Sequence, residues 1–369
     1  MKKILISIGL CILGYFTATA QEEESTHSIK ISSYADGYFA GYSNDLSQTE
    51  LQPFITVGAR DNSFGVNVAQ FGISYEHEKV RSNITLHYGD IAEATWSSEF
   101  NMIQEANVGI LLADGLWLDA GFFRTHIGTE SFLPKNNMLS STAFKTFNEP
   151  FYQAGARLSY DQLDDWYFEV WALNGYNSFV DNNDAKSFGA LVSYKFSENT
   201  SLTYTNLYGR ESEDDVSPNQ NRLYQNIYLN HNWDDKIFLT VGFDYGLQSN
   251  SDLNNPSDTA SMYAGVFTAR YQFTPIWSVT GRAEIFRDEN GFISGTTMNT
   301  AGDVTGFDLT GYTLGAEYRP ASSTYLRAEV RHTSTQDDLE IFINDGDPTN
   351  NRFEVLFTLG LEIDKVFKF

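Results

Sequence analysis

The chain ends on Arg352-Phe353-Glu354-Val355-Leu356-Phe357-Thr358-Leu359-Gly360-Leu361-Glu362-Ile363-Asp364-Lys365-Val366-Phe367-Lys368-Phe369, and the alternation in this stretch decides the fold. Phe353, Val355, Phe357, Leu359, Leu361 and Ile363 fall on one parity, while Glu354, Thr358, Gly360, Glu362 and Asp364 fall on the other. Successive side chains of a strand point to opposite faces, so a period of two marks a strand whose two faces meet different solvents. Length then separates the two kinds of strand. A strand in a water-soluble domain runs about 5–6 residues, whereas a tilted membrane-crossing strand needs about 9–11. This segment is long enough to cross a bilayer and protrude.

Working outward, sixteen segments share that period, at 28–42, 64–77, 82–90, 104–113, 115–126, 150–160, 165–175, 187–196, 200–210, 221–232, 236–248, 261–273, 276–287, 306–319, 323–333 and 352–369. Ile237, Leu239, Val241, Phe243, Tyr245 and Leu247 alternate as cleanly as the last strand, and Phe188, Ala190, Val192, Tyr194 and Phe196 form another clear face. In the second segment Phe64, Val66 and Val68 have one parity and Phe71, Ile73 and Tyr75 the other, which predicts a bulge. Short spacers at Glu78–Arg81, Asp114, Asp161–Asp164, Ser197–Asn199, Trp233–Asp235, Thr274–Pro275 and Pro320–Ser322 alternate with long ones at 43–63, 91–103, 127–149, 176–186, 211–220, 249–260, 288–305 and 334–351. Asp114-Gly115 supplies a tight-turn dipeptide where one is needed. Short turns at one end and long loops at the other is the layout of a transmembrane antiparallel β-barrel, with short periplasmic turns and long extracellular loops. At sixteen strands the bore is wide enough to hold water, so a channel is the default expectation.

The other end of the chain agrees. Lys2 and Lys3, an apolar core from Ile4 to Phe16, and Ala18-Thr19-Ala20 form a secretory signal pattern, so residues 1–20 are excluded from the fold and the barrel is expected over 21–369. Cys11 lies inside that apolar core and is the only cysteine, which excludes disulfides, thiolate catalysis and cysteine metal sites from the exported chain. Removing twenty residues leaves 349 and moves the formal net charge from −24 to −26. No apolar run of about 18 residues survives to form a membrane helix. The 28 Phe, 21 Tyr and 6 Trp suit the aromatic girdles of a barrel, and the negative balance excludes nucleic acid as a partner.

Three late strands carry opposite charges on the parity away from their apolar stripe: Arg282 and Glu284, then Glu317 and Arg319, then Arg327, Glu329 and Arg331. Lipid-facing Arg or Lys near the midplane costs about 2–4 kcal/mol, so these residues are expected on the lumen wall. Such a wall orders water and screens permeants, or else it is a cross-strand structural ladder. The loop 127–149 is expected to fold inward and narrow the pore, with Glu130, Lys135, Asn136, Asn137 and Lys145 at the constriction and Phe132, Phe144 and Phe147 as anchors. The alternative is an external cap. Acidic stretches at Glu211–Asp215, Asp181–Asp184 and Asn344–Asp347 lack the spacing of a calcium loop and read as solvated surface charge. His27, His77, His87, His126, His231 and His332 show no metal spacing, and no Gly-x-Ser-x-Gly occurs, so catalysis and cofactors are not expected.

Two blocks carry a family resemblance. Ile103-Gln104-Glu105-Ala106, Gly121-Phe122-Phe123-Arg124-Thr125, Gly128-Thr129-Glu130, Asn136-Asn137, Ser140-Ser141, Pro150 and Gly155, followed by Asn174-Gly175-Tyr176, Asp181-Asn182-Asn183 and Lys186-Ser187, resemble the OmpL-like beta-barrel porins over roughly a quarter of the chain. The resemblance implies an outer-membrane porin of Gram-negative bacteria, Bacteroidota-like ones among them, with Glu130, Asn136 and Asn137 near the pore. The terminal Phe369 likewise resembles the assembly signal of outer-membrane barrel substrates, which implies the barrel-assembly machinery as a partner. The resulting expectation is a passive, cation-favouring porin for small hydrophilic solutes or ions, partnered by outer-membrane lipids and compatible with a homo-oligomer. A barrel-anchored surface binding or adhesion protein, and an outer-membrane hydrolase, are the competing readings.

Overall fold

The structure, a computed structural model, describes residues 27–369; the expected signal segment 1–20 lies outside them. Sixteen strands close into one antiparallel barrel, each paired with its neighbour in sequence and the last returning to the first. They are β1 (Ser28–Tyr42), β2 (Ser63–Glu76), β3 (Val80–Tyr88), β4 (Ile103–Ala113), β5 (Leu116–Arg124), β6 (Tyr152–Leu163), β7 (Trp166–Leu173), β8 (Ser187–Ser197), β9 (Thr200–Arg210), β10 (Asn221–Trp233), β11 (Ile237–Gln248), β12 (Ala260–Thr274), β13 (Trp277–Asp288), β14 (Phe307–Ala321), β15 (Thr324–Thr335) and β16 (Asn351–Lys368). All the expected segments are strands, with ends displaced by no more than three residues.

The alternation of β16 has the predicted consequence. Phe353, Leu359 and Ile363 are each about 60% exposed to the outside, whereas Glu354, Leu356 and Thr358 are buried inside. Across the barrel, exposed Phe64, Tyr88, Phe188, Tyr208 and Phe353 ring the long-loop end, and exposed Trp166, Phe196, Trp233, Phe273, Trp277 and Phe367 ring the short-turn end. Amphipathic rings at the two rims of an apolar band are what a bilayer selects. The bulge in β2 falls at Asn67, which is skipped between the pairs Asp36–Val68 and Gly37–Val66. Asn67 and Val68 therefore both point inward, and the outward parity passes from Val66 to Phe71.

Turn chemistry sets the short end. Gly115 takes φ +69° between β4 and β5, and Asp234 and Asp235 take φ +53° and +54° between β10 and β11, the left-handed pair that a tight hairpin requires. The long connections carry structure that period-two reading does not detect: helix α1 (Asp90–Thr95), a 3₁₀ turn at Pro134–Asn136, helix α2 (Phe144–Asn148), and two short hairpins pairing Thr297–Met298 with Val304–Thr305 and Phe342–Asn344 with Asp347–Thr349.

The long-loop half of the barrel is not empty. Two apolar clusters fill it, one around Tyr38, Val57, Trp96, Phe132, Tyr152 and Leu356, the other around Phe54, Phe144, Trp171, Tyr224, Phe286 and Leu309. Each joins inward-facing strand residues to residues of the loops.

Candidate channel constriction

The third long connection, 125–151, lies inside the barrel, and its own sequence shapes it. Pro134 opens the 3₁₀ turn. Asn137 closes the loop around it, accepting from the Ser131 backbone N–H at 2.8 Å and donating to the Ser131 carbonyl at 2.6 Å. The stretch Ser140-Ser141-Thr142 is neither helix nor strand, so its backbone groups have no partners within it and need them on the barrel wall.

The charged strands supply them. Glu329 accepts from the backbone N–H groups of Ser140 and Ser141 and from the Ser141 hydroxyl, the last at 2.6 Å. Arg282 donates to the Ser141 carbonyl (2.5 Å) and the Thr142 carbonyl (3.3 Å), and Glu284 accepts from the Phe144 N–H at 2.6 Å. Arg327 donates to the carbonyls of Pro134 (2.9 Å) and Asn137 (2.8 Å), and Arg270 to that of Met138 (2.7 Å). Among themselves the wall charges pair as Arg327–Glu317 (2.7 Å), Arg319–Glu317 (2.9 Å) and Arg331–Glu284 (2.7 Å). Arg331 also lies 4.2 Å from the Phe144 ring centre. Burying a charge is tolerated only when it is paired and its remaining hydrogen-bonding capacity is used; here the loop backbone uses much of it, and the buried Nε atoms of Arg282 and Arg331 are left without a hydrogen-bond partner.

The expected lumen residues thus come together on β13–β15, where Arg282, Glu284, Arg327 and Glu329 hydrogen-bond the backbone of the third loop. Arg282, Glu284, Glu329 and Arg331 are covered by the loop; Arg319 remains about a quarter exposed. Lys145 departs from expectation in the same way. It is fully buried on α2 between Glu149 (2.6 Å) and Asp244 of β11 (2.8 Å), and it does not line the cavities beneath the loop. Burial pushes Glu149 up to about 8, against the opposing pull of Lys145.

Glu130, Lys135, Asn136 and Asn137 do face open space. A cavity of about 970 Å³ lies on the short-turn side of the loop, and a second of about 480 Å³ meets it at Thr129, Glu130, Asn136 and Asn137. Glu130 also accepts from the Ala143 N–H at 2.7 Å and lies 3.4 Å from Arg282. Lys135 pairs with Glu362 of β16.

Because the loop is docked on β12–β15, open space remains along the opposite wall. That wall carries a ladder that was not singled out from the sequence: Arg81 of β3, Asp119 of β5, Arg157 of β6 and Glu169 of β7. Arg81 and Arg157 meet Asp119 at 2.5 and 3.0 Å, and Arg157 meets Glu169 at 3.1 Å. Glu169 also accepts from Tyr167 (2.7 Å) and the Trp171 indole (2.9 Å). The signal was present in the alternation, since Asp119 sits between Leu118 and Ala120, Arg157 between Ala156 and Leu158, and Glu169 between Phe168 and Val170.

His126, just past β5, stacks on Trp171 at 5.0 Å and contacts the Gln153 side-chain oxygen (2.8 Å) and the Asn206 carbonyl (2.9 Å). Burial lowers its proton affinity. In the acidic loops, Asp181 pairs with Lys186 and Asp214 with Arg210. Among the described residues no group of three or more His, Cys, Asp or Glu is arranged to hold a metal ion. The terminal Phe369 stacks on His27 with centroids 5.8 Å apart and is exposed.

Comparisons with known proteins agree with this architecture. The family model described as beta-barrel porin-2, OmpL-like matches residues 28–363. No curated protein matches the chain in sequence. The barrel is similar to that of the anion-selective porin from Comamonas acidovorans, with TM-score 0.63, 10% identity, and coverage of 91% of this chain and 100% of that one. It is also similar to outer-membrane-expressed OmpT of Vibrio cholerae (TM-score 0.58, 11% identity, 91% and 98% coverage) and to the outer membrane channel DcaP of Acinetobacter baumannii (TM-score 0.58, 11% identity, 93% and 100% coverage).

Proposed function

Because this chain belongs to the beta-barrel porin-2, OmpL-like family, we propose that it is an outer-membrane channel through which small hydrophilic solutes or ions diffuse passively, without catalysis or cofactor. The observation that carries this reading is the placement of the third loop: clamped to one inner wall, it leaves a polar cavity of about 970 Å³ against the other. The constriction then lies between Glu130, Asn136 and Asn137 on the loop and the Arg81–Asp119–Arg157–Glu169 ladder. Charged rings in a narrow bore set selectivity through the local field. The cavity wall has more acids (Glu76, Glu105, Asp119, Glu130, Glu169, Glu362, with Glu149 set aside because burial raises it to about 8) than bases (Lys30, Arg81, Arg124, Lys135, Arg157), which supports a mild cation preference.

One observation favours a second reading. The two buried apolar clusters in the long-loop half suit a barrel that anchors a binding surface built by its loops. Planar-bilayer conductance of refolded Gln21–Phe369, with reversal potential under a salt gradient, separates the two. Ohmic openings with a cation-biased reversal, more biased in Arg157→Gln, are expected of the channel. That variant leaves Asp119 with Arg81, and Glu169 with Tyr167 and Trp171, so the wall keeps its hydrogen bonds. A folded barrel that is silent both as the wild type and with the tip of its first long loop replaced by Gly-Ser would move the function to the loops.

A further inference from the structure

The space on the long-loop side of the constriction is occupied by a different segment, the tip of the first long connection. Phe54, Ile55, Thr56, Val57 and Ala59 are each no more than 6% exposed, a run of core-like burial in a stretch that is neither helix nor strand. Phe54 reaches Phe307 at the start of β14 (centroids 4.8 Å) and Phe147 of the third loop (5.9 Å). Val57 packs in the other apolar cluster with Tyr38 and Leu356. The tip therefore contributes to both clusters that fill the bore. Neither cavity beneath the third loop is lined by any residue of this segment, so it lies wholly on the far side of the constriction.

Two features distinguish this tip from the loop beneath it. The third loop is held by buried ionised groups on its backbone, and hydrogen bonds to charged groups are roughly twice as strong as neutral ones. The tip is held mostly by neutral bonds: Thr56 to Thr142 (2.9 Å), the Gly58 N–H to Asn67 (2.7 Å) and the Tyr42 hydroxyl to the Gly58 carbonyl (2.6 Å), with Arg352 on the Pro53 carbonyl (3.0 Å). The second feature is backbone strain. Phe54 takes φ +61°, a left-handed conformation that a bulky residue holds only where its surroundings impose it. Withdrawal of the tip releases that strain and leaves Arg352 its pair with Glu354 (3.4 Å), whereas withdrawal of the third loop strands several buried charges at once.

We propose that residues 53–59 form a removable plug: the third loop is the fixed constriction, and the first loop is the element that closes the bore behind it. This rests on the channel reading, and the test keeps the two apart. Refolded Gln21–Phe369 contains no native cysteine. Thr56→Cys with Thr142→Cys places two thiols where the hydroxyls now touch, so oxidation locks the tip down and reduction frees it. The expected result is at least a tenfold loss of open time on oxidation, recovered with a reductant, and a several-fold gain of open time in Phe54→Gly, which removes both the ring and the strain. An oxidised pair, verified by loss of free thiol, that conducts as the reduced form does would overturn the plug while leaving the channel intact. If the cysteine pair does not fold, Phe54→Gly decides alone, and unchanged open time overturns the proposal. Silence of the wild type, of Phe54→Gly and of a Gly-Ser replacement of residues 53–57 would sink both the plug and the channel.

Discussion

Lys145 carries a consequence for pH. One ammonium sits with two carboxylates in a site without exposure, so full ionisation of both acids leaves a net negative charge buried. Protonation of Glu149 avoids this, and its folded value of about 8 lies above its ordinary 4.5. A value raised on folding means that its contribution to stability is complete below about pH 4.5 and is lost as pH rises through 8. Glu149→Gln keeps a neutral hydrogen-bonding partner and cannot ionise. Urea midpoints at pH 5 and pH 9 in detergent should therefore shift in favour of the variant on the alkaline side, by about 2–4 kcal/mol at roughly 1.4 kcal/mol per pKa unit. Equal shifts in both proteins would show that Glu149 stays ionised. None of this could be read from the sequence: Lys145 was visible as a loop cation, but its partner Asp244 lies on a strand 99 residues away.

At the scale of the element, strands were legible and loops were not, for one reason. A strand between lipid and lumen repeats its environment every second residue, so Ile237–Leu247 and Phe353–Ile363 announce themselves. The third loop has no period; its form depends on contacts with Glu329, Arg282 and Arg327, which its own residues do not encode. The wall charges on β13–β15 were legible as inward-facing, while their grip on the loop backbone was not. The helices and small hairpins in the connections are too short to show a pattern. Gly121 and Gly155, both within the blocks resembling the family, face each other across β5 and β6. A Cβ at Gly121 would lie 2.2 Å from the Ala106 carbonyl oxygen, with φ at +135°. Gly121→Ala should consequently lower stability by about 1–3 kcal/mol, as other overpacked sites do. A lowered denaturation midpoint on a heat-modifiability gel would show it; an unchanged one would mean that β4 yields freely.

For the whole molecule the decisive quantity is charge, formally −24 over the full sequence. Most of those acids lie outside the constriction, so their effect on permeants is long-ranged and screened by salt. The Debye length falls from about 10 Å at 0.1 M to about 3 Å at 1 M. Cation bias in the reversal potential should accordingly shrink over that range, and a bias that persists at 1 M would assign selectivity to the ladder and Glu130 alone. The same scale holds the seam of the barrel, where β1 pairs with β16 from Ser28–Lys368 to Tyr42–Glu354 and the backbones of His27 and Phe369 exchange hydrogen bonds at 3.0 Å. Chain ends that meet this way make the order of the strands cyclic. Joining them with a short linker and cutting the chain in a solvent-exposed long loop would leave every strand with its present two neighbours. Strand pairing alone therefore does not fix which strand of the barrel comes first, and circular permutants are a route to moving the last-made strand around it.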